Sequence, residues 1–278
     1  MQGKNLTRAE IYTVFSQLST HAVEQQAAFL ALLARKKETG DELLGALDFM
    51  LEQSALIHLP YDVIDIVGTG GDGLSTFNIS TAASVVIASC GVPVAKHGGR
   101  SVTSRTGSAD VLDVLKIPFS LTPDACIHGL KTMGYAYLLG SQFNTALQSF
   151  ASLRQHLGIP TVFNIMGPLL NPMQPKRQVI GVSRIDLVSI IARILNEKGS
   201  SHALVVHSED GMDELSVSAA THMSELQHGN ITEYTITPED VGLKRSSVDE
   251  VKGCDTMENA RIIRGIFEGK IIGAKQDI

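Results

Sequence analysis

The chain has 278 residues, enough for one large or two modest domains with a substantial core. Its formal net charge of −6 argues against nucleic acid or an anionic membrane held by overall charge, and the absence of Trp disfavours a base-stacking surface. The N-terminus is polar and no apolar run is as long as a membrane span, so we expect a cytoplasmic protein with no membrane partner.

The first sixty residues predict helices only. Capping boxes at Thr7–Glu10 and Thr39–Glu42 begin two of them, and residues 23–34 form a very apolar helix in between. We therefore expect a small helical domain over residues 1–60, with part of the 142–176 region packed on it. Apolar positions cover more of these helices than a small bundle can bury, so we expect the surplus to form a homodimer surface.

From residue 61 the pattern changes to strands that alternate with helices. Strands are predicted at 63–67, 92–95, 135–139, 178–182 and 202–207, and helices at 79–90, 106–115, 123–133, 184–198 and 256–268. This alternation predicts a mainly parallel sheet covered by helices, in an α/β domain over residues 61–278. A polar hairpin is predicted at 223–236, and a Pro-rich stretch near 158–176 should cross between the two domains.

A loop with four glycines in six residues, Gly68–Gly73, follows the first predicted strand. The next helix begins with the polar residues Asn78, Ser80 and Thr81. Glycines let backbone N–H groups turn toward an anion, and a helix N-terminus adds the positive end of a dipole. The segment therefore predicts a phosphate-binding loop, with a purely structural turn as the alternative.

Two commoner phosphate-binding motifs do not fit this loop. Gly68, Gly70 and Gly73 match the dinucleotide fingerprint, but the next predicted strand leads into Lys96 instead of the acid that this fingerprint requires. The loop also nearly matches a P-loop, except that Leu74 stands where the Lys is required.

A basic segment, Lys96–Arg100, directly follows the second predicted strand. Ligands of open parallel sheets bind at the carboxyl ends of strands, so this segment suits further phosphate oxygens, with a solvated basic turn as the alternative. Within it, we expect His97 to be a hydrogen-bond donor rather than a general base. The hydroxyl-rich stretch 101–108 opens another helix and predicts a third anion-binding terminus.

Two adjacent acids, Asp213 and Glu214, come just past the strand predicted at 202–207. Adjacent carboxylates repel each other unless a cation compensates. Mg²⁺ prefers one or two carboxylates together with water and phosphate oxygens. We therefore expect a Mg²⁺–phosphate site here, with an exposed acidic turn as the alternative.

These and other motifs, in this order, resemble one family, the anthranilate phosphoribosyltransferases of tryptophan biosynthesis. The matching segments are 3–7, 68–81, 96–98, 100–112, 154–158, 163–172, 175–178 and 213–216, so the resemblance covers essentially the whole chain. It implies a helical domain and a larger α/β domain of the nucleoside phosphorylase/phosphoribosyltransferase type, with the active site in the hinge cleft and a homodimer through the helices. It also implies transfer of a phosphoribosyl group from 5-phosphoribosyl diphosphate to anthranilate, with Mg²⁺ as cofactor.

The resemblance further implies the roles of individual residues. Lys96 and Arg154 would be catalytic, and Arg154 would face the carboxylate of the aromatic acid. The Mg²⁺ ligands would be Ser80, Asp213 and Glu214. The substrate-binding residues would be Gly68, Gly70, Gly71, Asp72, Thr76, Asn78, Ser80, Thr81, Lys96, His97, Gly98, Gly99, Ser108 and Arg154.

The sequence departs from the family pattern at two places on the acceptor side. Gly99 replaces an Asn that contacts anthranilate, and Asn144-Thr145 replaces a His-Pro pair. We therefore expect weak anthranilate turnover, partly regained by Gly99→Asn together with Asn144→His. A different aromatic or heterocyclic amine with the same donor is one alternative function, and a non-catalytic relative that binds nucleic acid is another.

Overall fold

The computed structural model describes residues 3–100, 106–119 and 122–278. Its first three elements are the predicted helices, α1 (Arg8–Leu18), α2 (Val23–Lys36) and α3 (Gly40–Glu52). The predicted capping boxes of α1 and α3 are confirmed. Glu10 Oε2 accepts a hydrogen bond from Thr7 N at 2.8 Å, and Glu42 Oε2 accepts one from Thr39 N at 2.8 Å.

Seven strands form one sheet in the order β3-β2-β1-β4-β5-β6-β7. The strands are β1 (Ile64–Gly68), β2 (Val94–Gly98), β3 (Tyr135–Leu139), β4 (Arg177–Gly181), β5 (His202–Ser208), β6 (Thr221–Gln227) and β7 (Asn230–Ile236). The first five are parallel, and the β6–β7 hairpin continues the sheet with antiparallel pairing. The predicted fold class, a helical region followed by a larger α/β region with a mainly parallel sheet, is confirmed.

Helices pack against this sheet. The predicted ones are α4 (Ile79–Ser89), α5 (Ser108–Leu115), α6 (Pro123–Met133), α11 (Leu187–Glu197) and α12 (Thr256–Phe267). Sequence reasoning missed five short ones, α7 (Gly140–Phe143), α8 (Thr145–Ser149), α9 (Ala151–Leu157), α10 (Val162–Met166) and α13 (Ala274–Asp277). Across the described ranges, no helix combines the length and the apolar character that crossing a membrane requires.

The helical region and the α/β region share one hydrophobic core. Phe15 of α1 packs edge-on against Phe163 of α10, and Leu47 of α3 lies in the same cluster as Ile191 of α11. An ion pair between Arg184 and Glu38, at 2.9 Å, adds a polar link between the two regions. Much of the apolar surplus of the three N-terminal helices is thus buried within the chain itself, which is not the use that we expected for it.

Candidate active site

The candidate site lies beyond the carboxyl ends of β1 and β4. The chain passes from β1 to β2 and β3 on one side of the sheet and then returns to β4 on the other side. This reversal leaves a crevice between the loops that follow β1 and β4, which is where open α/β sheets bind their ligands.

The predicted glycine loop occupies this crevice. Gly70, Gly71 and Gly73 have φ angles of +64°, +83° and +78°, a region that residues with a side chain rarely adopt. Asp72, between them, accepts a hydrogen bond from Leu74 N at 3.1 Å and so fixes the turn. Thr76, at the end of the loop, forms an isolated β-bridge with Lys252.

Asp213 lies directly on this loop. Its Oδ2 accepts a hydrogen bond from Gly70 N at 2.7 Å. Two glycines make the approach possible, because a Cβ atom at Gly68 would lie 2.5 Å from Asp213 Oδ2 and one at Gly181 would lie 1.6 Å from Asp213 O. The glycine loop and the predicted acidic pair therefore form a single site, although 143 positions of sequence separate Gly70 from Asp213.

The two acids are electrostatically unfavourable as they stand. Burial, together with the nearby Asp72 charge, raises the pKa of Asp213 to about 6. Burial also raises the pKa of Glu214, to about 8, with Asp213 contributing and Lys96 opposing. A cation between the acids would remove this penalty, and an oxygen-only ligand set suits Mg²⁺.

A metal ion at this site would also need ligands from the substrate. Within the described ranges, no three His, Cys, Asp or Glu side chains are grouped so as to hold a metal ion. Two carboxylates and the nearby Ser80 hydroxyl leave positions for phosphate oxygens and water, which is the coordination that Mg²⁺ usually has in proteins.

Lys96 reaches this site from inside the sheet. It belongs to β2 and is 1% exposed, with Nζ donating to Ile66 O at 2.6 Å and to Ser80 Oγ at 3.3 Å. Burial lowers its pKa, while Asp65 and Glu214 oppose that shift. The expectation that residues 96–98 lie past the strand end is wrong, because all three pair with β3.

Sequence reasoning missed Asp65, a buried carboxylate that bonds to the backbone of the basic segment at His97. It is fully buried, and its carboxylate accepts hydrogen bonds from His97 N at 3.0 Å and from Asn171 Nδ2 at 2.9 Å. Burial raises its pKa to about 6, against the pull of the Lys96 charge. The signal that could have revealed it is an acid in the middle of an apolar strand.

The His97 imidazole is buried close to the Lys96 charge. Burial and that charge lower the pKa of His97 to about 4, against the effect of a hydrogen bond with the Gly167 backbone. Its Nε2 is buried and has no hydrogen-bond partner among the described residues. This nitrogen lies against Gly140, where a Cβ atom would come within 2.8 Å of it.

The remaining donor-side residues surround the start of α4 and of α5. Asn78 caps α4 without a side-chain bond to the helix, and its Oδ1 accepts from Asn259 Nδ2 at 3.0 Å. Thr81 is buried, and its hydroxyl has no partner within the described ranges. Ser108 is the first residue of α5, whereas residues 101–105 of the predicted third anion-binding segment lie outside the described residues.

Gly98 and Gly99 differ in the space around them. A Cβ atom at Gly98 would lie 2.5 Å from the Tyr137 hydroxyl oxygen, so this position requires a glycine. At Gly99, no atom of the described residues lies within 4 Å of such a Cβ. The described residues therefore leave room at residue 99 for the larger side chain that the family pattern has there.

Arg154 on α9 is a partly buried cation. Its guanidinium carbon lies 5.5 Å from the centre of the Phe163 ring, and burial lowers its pKa. Among the described residues Arg154 has no acidic partner, and its Nε is buried without a hydrogen bond. The segment after α9 leads to Pro160, whose Cγ would lie 3.6 Å from a Cβ at Gly71, so Arg154 is carried by a segment that touches the glycine loop.

Asn144 is a buried residue whose side chain is fully hydrogen-bonded within the chain. It is 1% exposed, and its Nδ2 donates to Met50 O and to Ser54 Oγ, both at 2.7 Å. Its Oδ1 accepts from Leu147 N at 2.9 Å and caps α8. These bonds do not test the expectation that Asn144→His would regain an acceptor contact, which stays a prediction.

Comparison with known proteins first defines the class. Residues 60–278 match the a/b domain of a glycosyl transferase family, and residues 1–54 match its helical bundle domain. The chain is thus a glycosyltransferase whose candidate donor site is built on a glycine loop and an acidic pair.

Individual relatives then define the family. Over 272 residues, the chain is 42% identical to the anthranilate phosphoribosyltransferase of Geobacillus sp. (strain WCH70), a match that covers 97% of this chain and 80% of the relative. The crystal structure of the Thermus thermophilus enzyme is similar with a TM-score of 0.88 and 34% identity, covering 99% of this chain and 83% of that one. The Saccharomyces cerevisiae enzyme in complex with PRPP and Mg gives a TM-score of 0.85 and 28% identity, over 97% of this chain and 79% of that one. The chain belongs to the anthranilate phosphoribosyltransferase family.

Proposed function

We propose that the protein transfers the phosphoribosyl group of 5-phosphoribosyl diphosphate to the amine of anthranilate and releases pyrophosphate. The observation that carries this proposal is the contact between Asp213 and the glycine loop, at 2.7 Å from Gly70 N. It brings an anion-binding backbone and a carboxylate pair suited to Mg²⁺ to one place, as binding of a metal-complexed diphosphate requires. The relatives named above and the yeast complex with PRPP and Mg support it.

On the donor side, the proposal assigns the diphosphate to the glycine loop and the start of α4. Backbone N–H groups at Gly70 and Gly71 would bind phosphate oxygens, because their positive φ angles suit such a cradle. The buried Thr81 hydroxyl has no partner among the described residues, which supports this assignment because such a group costs stability. The other residues of the donor group are Gly68, Asp72, Thr76, Asn78, Lys96, His97, Gly98 and Ser108.

Ser80, Asp213 and Glu214 would hold Mg²⁺. When bound, the metal would supply positive charge to the leaving pyrophosphate. The raised pKa values of the two acids support this assignment, because they report a charge repulsion that a cation relieves.

The transfer reaction needs little covalent catalysis by the protein. As pyrophosphate leaves the ribose carbon, positive charge develops on the sugar and the amine attacks from the opposite face. The protein's residues contribute by orienting the two substrates and by stabilising charge, with the Lys96 ammonium close to Ser80. No strong base is needed for such a dissociative step, which agrees with a His97 whose pKa lies near 4.

On the acceptor side, Arg154 would bind the anthranilate carboxylate. Its guanidinium is partly buried and has no acidic partner in the part of the chain that the structure describes, so an arriving carboxylate would give it a charge-assisted hydrogen bond. Weak anthranilate binding, partly regained by Gly99→Asn together with Asn144→His, stays a prediction.

We also propose a domain boundary, a location and an oligomeric state. The helical domain would end near residue 60, a cytoplasmic location is expected, and the protein would be a homodimer through its N-terminal helices. The exposed apolar side chains on α2, Val23 at 54% and Leu32 at 46%, support the dimer.

The experiment that tests the function is a turnover assay with labelled 5-phosphoribosyl diphosphate, Mg²⁺ and a panel of aromatic amines. We expect anthranilate to be the preferred acceptor, with a Michaelis constant that falls in Gly99→Asn. Loss of activity in the Asp213→Asn/Glu214→Gln variant, with an unchanged fold by circular dichroism, would support the metal assignment. Transfer to another amine in preference to anthranilate would contradict the acceptor, and normal turnover in the double variant would contradict the metal site.

A further inference from the structure

The loop that carries the acidic pair has no regular secondary structure of its own. It runs from Glu209 to Ala220, between β5 and the antiparallel β6. Its two ends are joined, because Glu209 N donates to Ala220 O at 2.9 Å. Asp213 and Glu214 lie in the middle of the loop, so something other than a helix or strand must fix their position.

Asp210 bonds to both sides of the acidic pair. Its Oδ1 accepts from Met212 N at 3.2 Å, just before the pair. Its Oδ2 accepts from Ser216 Oγ at 2.7 Å and from the Ser218 hydroxyl, just after the pair. A single carboxylate thus joins the two arms of the loop around Asp213 and Glu214.

Ser216 extends this connection to the second arm. Besides donating to Asp210, its Oγ accepts from Ser218 N at 2.8 Å and from Ala219 N at 3.2 Å. Ser216 N in turn donates to Thr221 Oγ1 at 3.1 Å, at the first residue of β6. The bonds from Asp210 therefore lead, through Ser216, to the rigid sheet.

The position of Asp213 leaves little tolerance for movement of this loop. On one side Asp213 touches the glycine loop, and on the other its carbonyl oxygen lies where a Cβ at Gly181 would be. A small displacement would break the contact with Gly70 N, since hydrogen bonds weaken steeply with distance and angle.

We propose that Asp210 is a positioning residue for the metal site: by joining Met212 N to the hydroxyls of Ser216 and Ser218, it sets the Mg²⁺ affinity of Asp213 and Glu214. This inference rests on the proposed function, because it assumes that these two acids bind Mg²⁺ with the diphosphate. Residues that orient metal ligands commonly change metal affinity about 10- to 100-fold when replaced.

Calorimetric titration of Mg²⁺ into the protein with 5-phosphoribosyl diphosphate tests the proposal without measuring activity. We expect Asp210→Asn to weaken Mg²⁺ binding about 10- to 100-fold. The amide oxygen of Asn can still accept from Met212 N, but the amide nitrogen cannot accept a hydrogen bond from either hydroxyl. The matched control is Asp240→Asn, since Asp240 likewise accepts from a backbone N–H and a hydroxyl, both of Thr237, but lies beyond β7.

Ser218→Ala separates position from charge and is the milder change if Asp210→Asn does not fold. It keeps the Asp210 carboxylate and removes one of its bonds. We expect weaker Mg²⁺ binding here too, with circular dichroism and the unfolding midpoint in the absence of Mg²⁺ close to those of the control. Unchanged Mg²⁺ affinity in Ser218→Ala would overturn the positioning role and leave only a charge effect.

The two proposals fail in different ways. If the unmodified protein binds no Mg²⁺ with the diphosphate present, the metal assignment itself fails, and this inference fails with it. If the unmodified protein binds Mg²⁺ and both variants bind it equally well, only the role of Asp210 is overturned.

Discussion

At the scale of single residues, the unsatisfied donor of Arg154 indicates that a binding partner completes its interactions. A partly buried guanidinium over the Phe163 ring retains favourable contact with the ring, but its buried Nε has no acceptor among the described residues. An unsatisfied charged donor costs free energy that a bound carboxylate returns. The structure thus gives a physical reason for the acceptor role that the family resemblance implied.

Replacing Arg154 by Gln should raise the Michaelis constant for anthranilate about 10- to 100-fold, as expected for a lost hydrogen bond to a charged group worth about 1.5–3 kcal/mol. The constant for 5-phosphoribosyl diphosphate should stay within a factor of about two. Steady-state kinetics with each substrate varied in turn measure both. Arg261→Gln is the control, since Arg261 is exposed and paired with Glu258 on α12. Equal losses for both substrates would argue against an acceptor-specific role.

Asp65 and Asp210 were beyond the reach of sequence reasoning for a common reason. Each acts through groups that only the tertiary structure or a folded loop brings to it, such as Asn171 Nδ2 for Asp65. Glycine runs and adjacent acids, by contrast, have a meaning that follows from the backbone and from charge alone. The donor side was therefore predictable from the residues, whereas Arg154 was found only through the family resemblance.

At the scale of elements, the loop 209–220 carries a dependence of stability on pH. Asp213 and Glu214 have pKa values raised to about 6 and about 8, above their ordinary values of 3.8 and 4.5. Between these ordinary pKa values and the raised ones, the two acids bind more protons in the folded protein than in the unfolded chain. Their contribution to the free energy of unfolding is therefore full below about pH 4 and is lost as the pH rises toward 8.

Without Mg²⁺, we expect Asp213→Asn/Glu214→Gln to gain several kcal/mol of stability relative to the unmodified protein between pH 5 and pH 8.5. Urea unfolding at the two pH values measures the difference. Saturating Mg²⁺ with 5-phosphoribosyl diphosphate should remove most of it, because the cation compensates the charges. A difference that falls with pH would contradict the raised pKa values.

Asn144 connects the end of α3 to the short helices that follow β3. Replacing it by Ala removes two side-chain bonds to residues 50–54 and the cap of α8. We expect a loss of about 1–3 kcal/mol in the free energy of unfolding, measured by urea denaturation. Thr145→Ala is the control, because the Thr145 hydroxyl is exposed and makes only 3.4 Å contacts. Equal stability of the two variants would show that this junction is not held by Asn144.

At the scale of the whole molecule, a homodimer through the N-terminal helices has to use what remains exposed on them. Phe15, Leu30, Leu43 and other apolar residues of these helices are buried within the chain. Leu32, at 46% exposed, remains available on α2.

Leu32→Glu should therefore convert a dimer into a monomer, since burying a charge in an apolar interface without a partner is unfavourable. Light scattering coupled to size exclusion gives the mass. Met133→Glu is the control, because Met133 is 66% exposed at the end of α6, away from these helices. A monomeric unmodified protein, or a dimer unaffected by Leu32→Glu, would count against this surface.

The overall fold was predictable because most of its parallel strands contain short apolar runs and its longer helices have clear caps or apolar periodicity. The short helices between residues 140 and 166 were not, since segments of four to seven residues hold too few turns to display a period. Their conformation depends on contacts such as the Asn144 cap and the packing of Phe150 against Phe163. The β2 boundary was misjudged because Lys96 and His97 are polar residues in a fully paired strand.

The contact between Asp213 and Gly70 has a consequence for selectivity among anions. A bare phosphate that approaches the glycine loop must compete with Asp213, which already accepts the hydrogen bond of Gly70 N. The chain holds this carboxylate there at high effective concentration, and its negative charge repels the phosphate. A diphosphate that arrives with Mg²⁺ would make Asp213 a ligand of the metal under the proposed function. The protein should thus discriminate between free and metal-bound phosphates before any bond is broken, and inorganic phosphate without a divalent cation should inhibit it poorly.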